Sequence, residues 1–325
     1  MVDYFDRTSI TYNFNKIIKP NTLSETLTNL TFSDFFNQKI EPNTLPENLT
    51  TLIFGENFNQ KIEPNTLPKN LITLIFGQNF NKKIEPNSLT NNLTTLKFGY
   101  NFNQEIDPNT LPKNLTTLIF GHDFNQQIEP NTLPKNLTTL DFDYNFTFNQ
   151  KIKPNSLPKS LTNLIFGYDF NQKIEPKILP DNLISLKFGY KFNQKIEINS
   201  LPESLINLAF SCNFNQKIEP DMLPFNLKFI EFNWEYINKI IIASCIEMVN
   251  NISNYYDVKI FLSKNILGDN GPKWPIHVHS YEKKQWPLKL YEVIDNYMHI
   301  YDGNITVLIN KKTYQPYSSA KSALK

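Results

Sequence analysis

Apolar residues recur along this chain with a period far longer than that of any single helix or strand. Phe-Asn pairs begin at Phe14, Phe36, Phe58, Phe80, Phe102, Phe124, Phe148, Phe170, Phe192 and Phe214. Eight of the nine intervals are 22 residues and the one from Phe124 to Phe148 is 24. The unit reads F-N-x-x-I-x-P-x-x-L-P-x-x-L-x-x-L-x-F-G-x-x, numbered here from the Phe as position 1. Ile at position 5, Leu at positions 10 and 14 and Phe at position 19 are present in all ten copies.

Each part of the unit predicts a local structure. Leu-x-Phe at positions 17 and 19 has the two-residue alternation of a strand, with both side chains on one face. Position 18 then faces the other way. Pro-x-x-Leu-Pro continues neither a strand nor a helix, so positions 7 to 11 form an irregular return arc. One 22-residue coil cannot enclose this many large apolar side chains. Stacked coils bury them in a continuous column, as in repeat proteins generally. The expected architecture is therefore ten parallel strands centred on positions 16–19, with the two extra residues near Phe146 and Thr147 bulging outward.

Asn explains much of what remains. It occurs 45 times and never varies at position 2, where its amide can bond its own turn and the next coil at once. At position 8, filled by Asn in eight copies, a ladder and a simple turn role weigh equally. Gly at position 20 fits either a positive-φ turn or a close approach of backbones.

The repeat ends at Phe232. The boundaries are an N-terminal segment at 1–13, ten repeats at 14–233, an α+β region at 234–317 and a tail at 318–325 expected to be disordered. In the α+β region, Trp234 to Ile252 reads as a helix and Asp257 to Leu262 as a strand. Pro275 to Tyr281 and Leu288 to Ile294 are further strand candidates. Met298 to Tyr301 and Ile305 to Ile309 read as a hairpin across Asp302-Gly303. A cap over the open solenoid end is the expected role of this region.

Charge and chemistry narrow the function. Net charge is +1 and Arg7 is the single arginine, which argues against nucleic acid. No apolar stretch is long enough to span a bilayer, and residues 1–13 lack the features of a secretory signal. The expectation is a cytoplasmic chain without a membrane partner, with Cys212 and Cys245 as free thiols. The sequons, such as Asn48-Leu49-Thr50, fall at one repeat position and read as products of the repeat. His277 and His279 share a strand face but lack a third ligand, so no metal or cofactor is expected. No catalytic motif is present. The Lys column at position 4 and the Glu column at position 6 read as adjacent solvated rows.

The run Leu49 to Pro64, with Phe58-Asn59 and Ile62-Glu63-Pro64, resembles the FNIP repeat. The unit is also similar to a leucine-rich repeat, whose turn Asn corresponds here to Asn57, Asn79, Asn101, Asn145 and Asn213. Asp123 and Asp169 substitute for it, and Phe35 and Lys191 depart from the pattern. The resemblance implies a right-handed, leucine-rich-repeat-like parallel β-solenoid with an irregular outer arc. Such repeats are often joined to an F-box, which implies recruitment to a ubiquitin ligase. The 13 residues before Phe14 are too few for one, so that link is weak here.

Variation marks the candidate site. Position 18 carries Ile53, Ile75, Ile119 and Ile165, broken by Lys97, Asp141 and Lys187. Position 21 turns from polar residues to Tyr100, His122, Tyr144, Tyr168, Tyr190 and Trp234. Aromatics with a few charges suit a protein-binding surface, although Ile and Tyr also suit strands regardless of binding. The expected function is a non-enzymatic scaffold for a protein or peptide. The alternative is an activity in the C-terminal region with the repeats as a recruiting arm.

Overall fold

A computed structural model describes residues 8–142, 146–211, 213–216, 218, 220–233, 259–263, 298–301 and 304–308. Its strands are β1 (Ser9–Tyr12), β2 (Asn29–Phe32), β3 (Thr51–Ile53), β4 (Thr73–Ile75), β5 (Thr95–Lys97), β6 (Thr117–Ile119) and β7 (Thr139–Asp141). They continue with β8 (Asn163–Ile165), β9 (Ser185–Lys187), β10 (Asn207–Phe210), β11 (Phe229–Asn233), β12 (Lys259–Ser263), β13 (Met298–Tyr301) and β14 (Asn304–Leu308). All lie in one sheet in chain order, except that β14 sits between β12 and β13.

From β1 to β12 every neighbouring pair is parallel, and β2 to β11 are the ten repeat strands. The fold is thus the expected leucine-rich-repeat-like parallel β-solenoid. Most inner strands span only three residues, positions 16–18, and the position-19 N–H still bonds the next coil, as in Phe54 to the Ile75 carbonyl at 2.9 Å. The period-2 pattern holds throughout: position 17 is buried in every coil, and positions 16 and 18 are not.

The sheet extends past the repeat at both ends. β1 adds a strand before the first full coil, with Ile10 and Tyr12 in register with Leu30 and Phe32. Tyr12 packs edge-on against Phe32 and Phe36 at 5.7 and 5.9 Å. Two residues separate Tyr12 from Phe14, where four separate Phe32 from Phe36. Phe14 has no such inner coil to enter and is 58% exposed, unlike every later position-1 Phe. At the other end β12 covers β11 in parallel, and β13 and β14 form an antiparallel hairpin. The expected helix at 234–252 and the strand candidates at 275–281 and 288–294 lie outside the described residues.

The core is two columns of stacked rings. Position 19 and the following position 1 meet face to face at about 3.7 Å in most coils, as in Phe76–Phe80 and Phe98–Phe102. The Ile and Leu of positions 5, 10, 14 and 17 close around them and are buried in all ten coils.

Ring spacing between coils also sets the curvature. Equivalent rings repeat at 6.1 Å in the position-1 column (Phe58–Phe80) and at 5.8 Å in the position-19 column (Phe76–Phe98). At position 21, on the outer side of the strands, Tyr168 and Tyr190 are 4.4 Å apart. Strand pairing fixes the coil spacing at roughly 4.8 Å in the sheet itself. Coils therefore splay apart through the core and close up in front of the strands, which makes the strand face concave.

The Asn roles separate cleanly. At position 2, each backbone N–H donates to the Oδ1 of the preceding coil's Asn, as in Asn59 to Asn37 (2.9 Å) and Asn81 to Asn59 (3.0 Å). Position 8 is a turn, with φ of 61° to 67° in eight Asn residues and in Lys177. Asn tolerates this left-handed conformation better than most residues. At position 20 the reason for Gly is close approach: a Cβ at Gly99 would overlap the carbonyl oxygen of Gly77. No glycine with a positive φ is needed there.

Candidate functional site

Pairing places position 18 in one row on the concave face. The register runs Ile53, Ile75, Lys97, Ile119, Asp141, Ile165, Lys187, Ala209, Glu231 across β3 to β11. The four Ile side chains are half-buried, and Lys97 and Lys187 are exposed. Thr, Asn and Ser at position 16 form a polar row alongside from β3 to β10, which ends at Phe229 in β11.

Position 21 supplies the aromatic stripe just past the strands. Tyr100 stacks on His122 at 4.0 Å and 11°. Tyr168 stacks on Tyr190 at 4.4 Å and 4°. Between them stands a residue that position counting does not select. Phe146 lies 4.8 Å from His122 and 4.8 Å from Tyr168, and it is 44% exposed.

The two-residue insertion explains this placement. The Phe146 N–H donates to the His122 carbonyl at 3.1 Å, the bond that position 22 makes in other coils, for example Asp123 to Tyr100 at 2.9 Å. The Thr147 hydroxyl donates to the same carbonyl at 3.1 Å. The insertion thus feeds a ring into the stack while β7 and β8 keep their register. Tyr144 and Trp234, expected in the stripe, lie outside the described residues, as do Cys212, Cys245, His277 and His279. The lengthened interval was the one sequence signal that could have pointed to Phe146.

The stack offers a particular chemistry. Its inner ring faces are used against one another, so the stack turns ring edges outward. Ring edges carry the positive end of the aromatic quadrupole and favour carbonyl and carboxylate oxygens. His122 is held by its neighbour: Nδ1 donates to the Asp123 carboxylate at 2.6 Å. Lys191 lies 5.8 Å from the Tyr168 ring and pairs with Asp169 at 2.9 Å. Ile53 and Ile75 sit outside the stripe, since position 21 of their coils is Glu56 and Gln78.

Elsewhere the charges pair along the rod. Lys83 bonds Asp107 at 2.7 Å and Lys173 reaches Glu175 and Glu197 at 3.5 and 3.0 Å, so the Lys and Glu columns satisfy each other. The position-22 turn keeps its backbone bond without Asn: Lys191 N–H reaches the Tyr168 carbonyl at 2.8 Å. Among the described residues no group of three or more His, Cys, Asp or Glu could hold a metal, and no helix is long and apolar enough to cross a membrane.

The FNIP Repeat family matches this chain in overlapping segments, 14–57, 36–79, 80–123, 102–145, 124–169, 148–191, 170–213, 192–235 and 214–244. The chain belongs to the FNIP-repeat family. Among solved structures, this FNIP solenoid is similar to CroV588, described as a novel circular LRR protein, at 50% identity and a TM-score of 0.66. The match covers 69% of this chain and 33% of that one, so the FNIP chain spans about a third of its relative's length. No curated protein matches the FNIP chain. Leucine-rich-repeat-like solenoids of this type are typical protein-interaction scaffolds.

Proposed function

We propose that this FNIP-repeat chain is a non-enzymatic, cytoplasmic scaffold that holds a protein or peptide on its concave strand face. The observation that carries the reading is the unbroken stack Tyr100–His122–Phe146–Tyr168–Tyr190 beside the position-18 row. Core-facing positions are nearly invariant between coils. The stripe is where the coils differ, and it concentrates rigid amphipathic rings on a concave surface, the make-up of a binding hot spot. The balanced charge and single arginine favour a protein partner over nucleic acid.

The test is a peptide pool selected by display on the full chain. Changing Tyr100, Phe146 and Tyr168 together to Ser should abolish binding of the selected pool. These rings are partly exposed, so the thermal midpoint should move less than for a core change such as Phe120→Ala. Binding that survives the triple change places the ligand elsewhere, with residues 234–317 the next region to probe.

A further inference from the structure

Position 22 carries a second asparagine ladder, and this one is directional. Asn79 Nδ2 donates to Asn57 Oδ1 at 2.9 Å, and Asn101 Nδ2 donates to Asn79 Oδ1 at 3.0 Å. Before Asn57 the row holds Phe35, whose side chain offers no acceptor. After Asn101 it holds Asp123, whose side chain offers no amide donor. The backbone keeps its register across that step: the Asn101 N–H reaches the Gln78 carbonyl and the Asp123 N–H reaches the Tyr100 carbonyl, both at 2.9 Å. An aligned chain of amides therefore ends in an oxygen, Asn101 Oδ1, one coil before a carboxylate. Hydrogen bonds in such a chain polarise one another, so its last oxygen adds to the negative potential at Asp123.

The same row shows how this chain treats a carboxylate two coils on. Asp169 is met at 2.9 Å by Lys191 Nζ from the next coil, beside the Tyr168 ring. After Asp123 the next coil carries Thr147 in the row, and its hydroxyl turns to the His122 and Phe124 carbonyls at 3.1 and 3.3 Å. Among the described residues the Asp123 carboxylate meets His122 Nδ1 through Oδ1 at 2.6 Å, and no lysine pairs with it. Asp123 Oδ2 and Asn101 Oδ1 receive no donor from the described residues. A groove of about 540 Å3 runs along the two Asn rows, lined by Asn37, Asn57, Asn59, Asn79, Asn81 and Asn101, and ends at this step.

The chemistry of the missing partner follows from these atoms. It must bring N–H donors, because both open atoms are acceptors. A guanidinium fork takes both oxygens of one carboxylate, and His122 already holds Oδ1. An ammonium is a compact charge with three donors that can reach separate acceptors, and an ammonium is what the chain itself sets on Asp169. Building on the strand-face reading above, we infer that the ligand held along the stripe places a lysine side chain at the Asn101–Asp123 step, its ammonium shared between Asp123 Oδ2 and Asn101 Oδ1. A part-exposed pair of this kind fixes register and choice of residue more than affinity.

The test is a pair of parallel selections from one random peptide display library, on the full wild-type chain and on the full Asp123→Asn chain. The substitution supplies the missing rung and removes the charge, so the fold should hold. The wild-type pool should converge on a lysine at one fixed place, and the variant pool should not. Acetylating that lysine in a synthetic copy of the converged peptide should weaken binding to the wild-type chain about five-fold and leave binding to the variant unchanged. If Asp123→Asn does not fold, Asp123→Ala should give the same result. A fixed arginine, lysine at equal frequency in both pools, or an acetylation effect equal on both chains overturns the inference. If the Ser triple change still abolishes binding of the wild-type pool in those cases, the strand-face reading stands without the lysine subsite. Selections that yield no binder overturn both.

Discussion

The backbone N–H of Asn149 donates to Oδ1 of Asn125 at 3.1 Å, although 24 rather than 22 residues separate them. The position-2 ladder thus runs through the one irregular interval, and the two extra residues are taken up entirely on the stripe side. Gln150 adds a second bond to the same Oδ1 at 3.1 Å, so this Asn oxygen serves two donors of the next coil.

Removing one such oxygen should be felt. Asn103 Oδ1 accepts from the Asn125 N–H and from Gln126 Nε2, both at 2.9 Å. Asn103→Ala leaves the half-buried Asn125 N–H without its partner, while Gln126 Nε2 keeps the Asn103 carbonyl at 3.1 Å, and should cost about 1–3 kcal/mol in urea unfolding. Asn103→Asp keeps the acceptor and should cost clearly less at neutral pH.

The ring columns should dominate local stability. Phe120 is buried between Phe98 and Phe142, with centroids at 5.7 and 5.2 Å, and faces Phe124 at 3.8 Å. Phe120→Ala should cost about 3–5 kcal/mol. Hydrogen exchange should show the loss first in the coils flanking β6, because each coil contacts only its neighbours.

Position 8 allows a stabilising change. Lys177 holds φ of 64°, a conformation that Asn occupies at the same position in eight other coils. Lys177→Asn should raise stability by about 0.5–1 kcal/mol through relief of the left-handed strain. A thermal melt that moves down would show that the Lys177 side chain contributes more than its backbone costs.

The architecture was legible because each of ten coils makes the same demand. The residues at positions 17, 19 and 5 of the repeat, such as Leu118, Phe120 and Ile128, are apolar for one reason, and the reason repeats. The position-2 ladder was legible for the same cause. What the spacing leaves open is backbone conformation. Asn109 and Asn103 look alike in sequence, yet one is a left-handed turn and the other a ladder rung. For Gly99 the replacement of its counterparts by Ser33, Asp143, Ser211 and Asn233 already argues against a strict positive φ, and it is the carbonyl of Gly77 that excludes a side chain. At the site, Tyr100, His122, Tyr168 and Tyr190 follow from position counting. Phe146 does not, because an insertion changes which residue faces the stripe, and only the bond to the His122 carbonyl reveals it. Phe14 matches the repeat but is exposed, since the coil that precedes it is cut short at Tyr12.

The most direct measurement uses the isoleucine methyl groups of the full chain as reporters. Ile119 and Ile165 stand on the concave face beside the stripe, while Ile62, Ile106 and Ile174 are buried at position 5. Titration with a display-selected peptide should shift the Ile119 and Ile165 methyl resonances, leaving Ile198 in the return arc unmoved. Shifts confined to Ile198 or the isoleucines beyond residue 234, with Ile119 and Ile165 unchanged, would contradict a ligand site on the strand face.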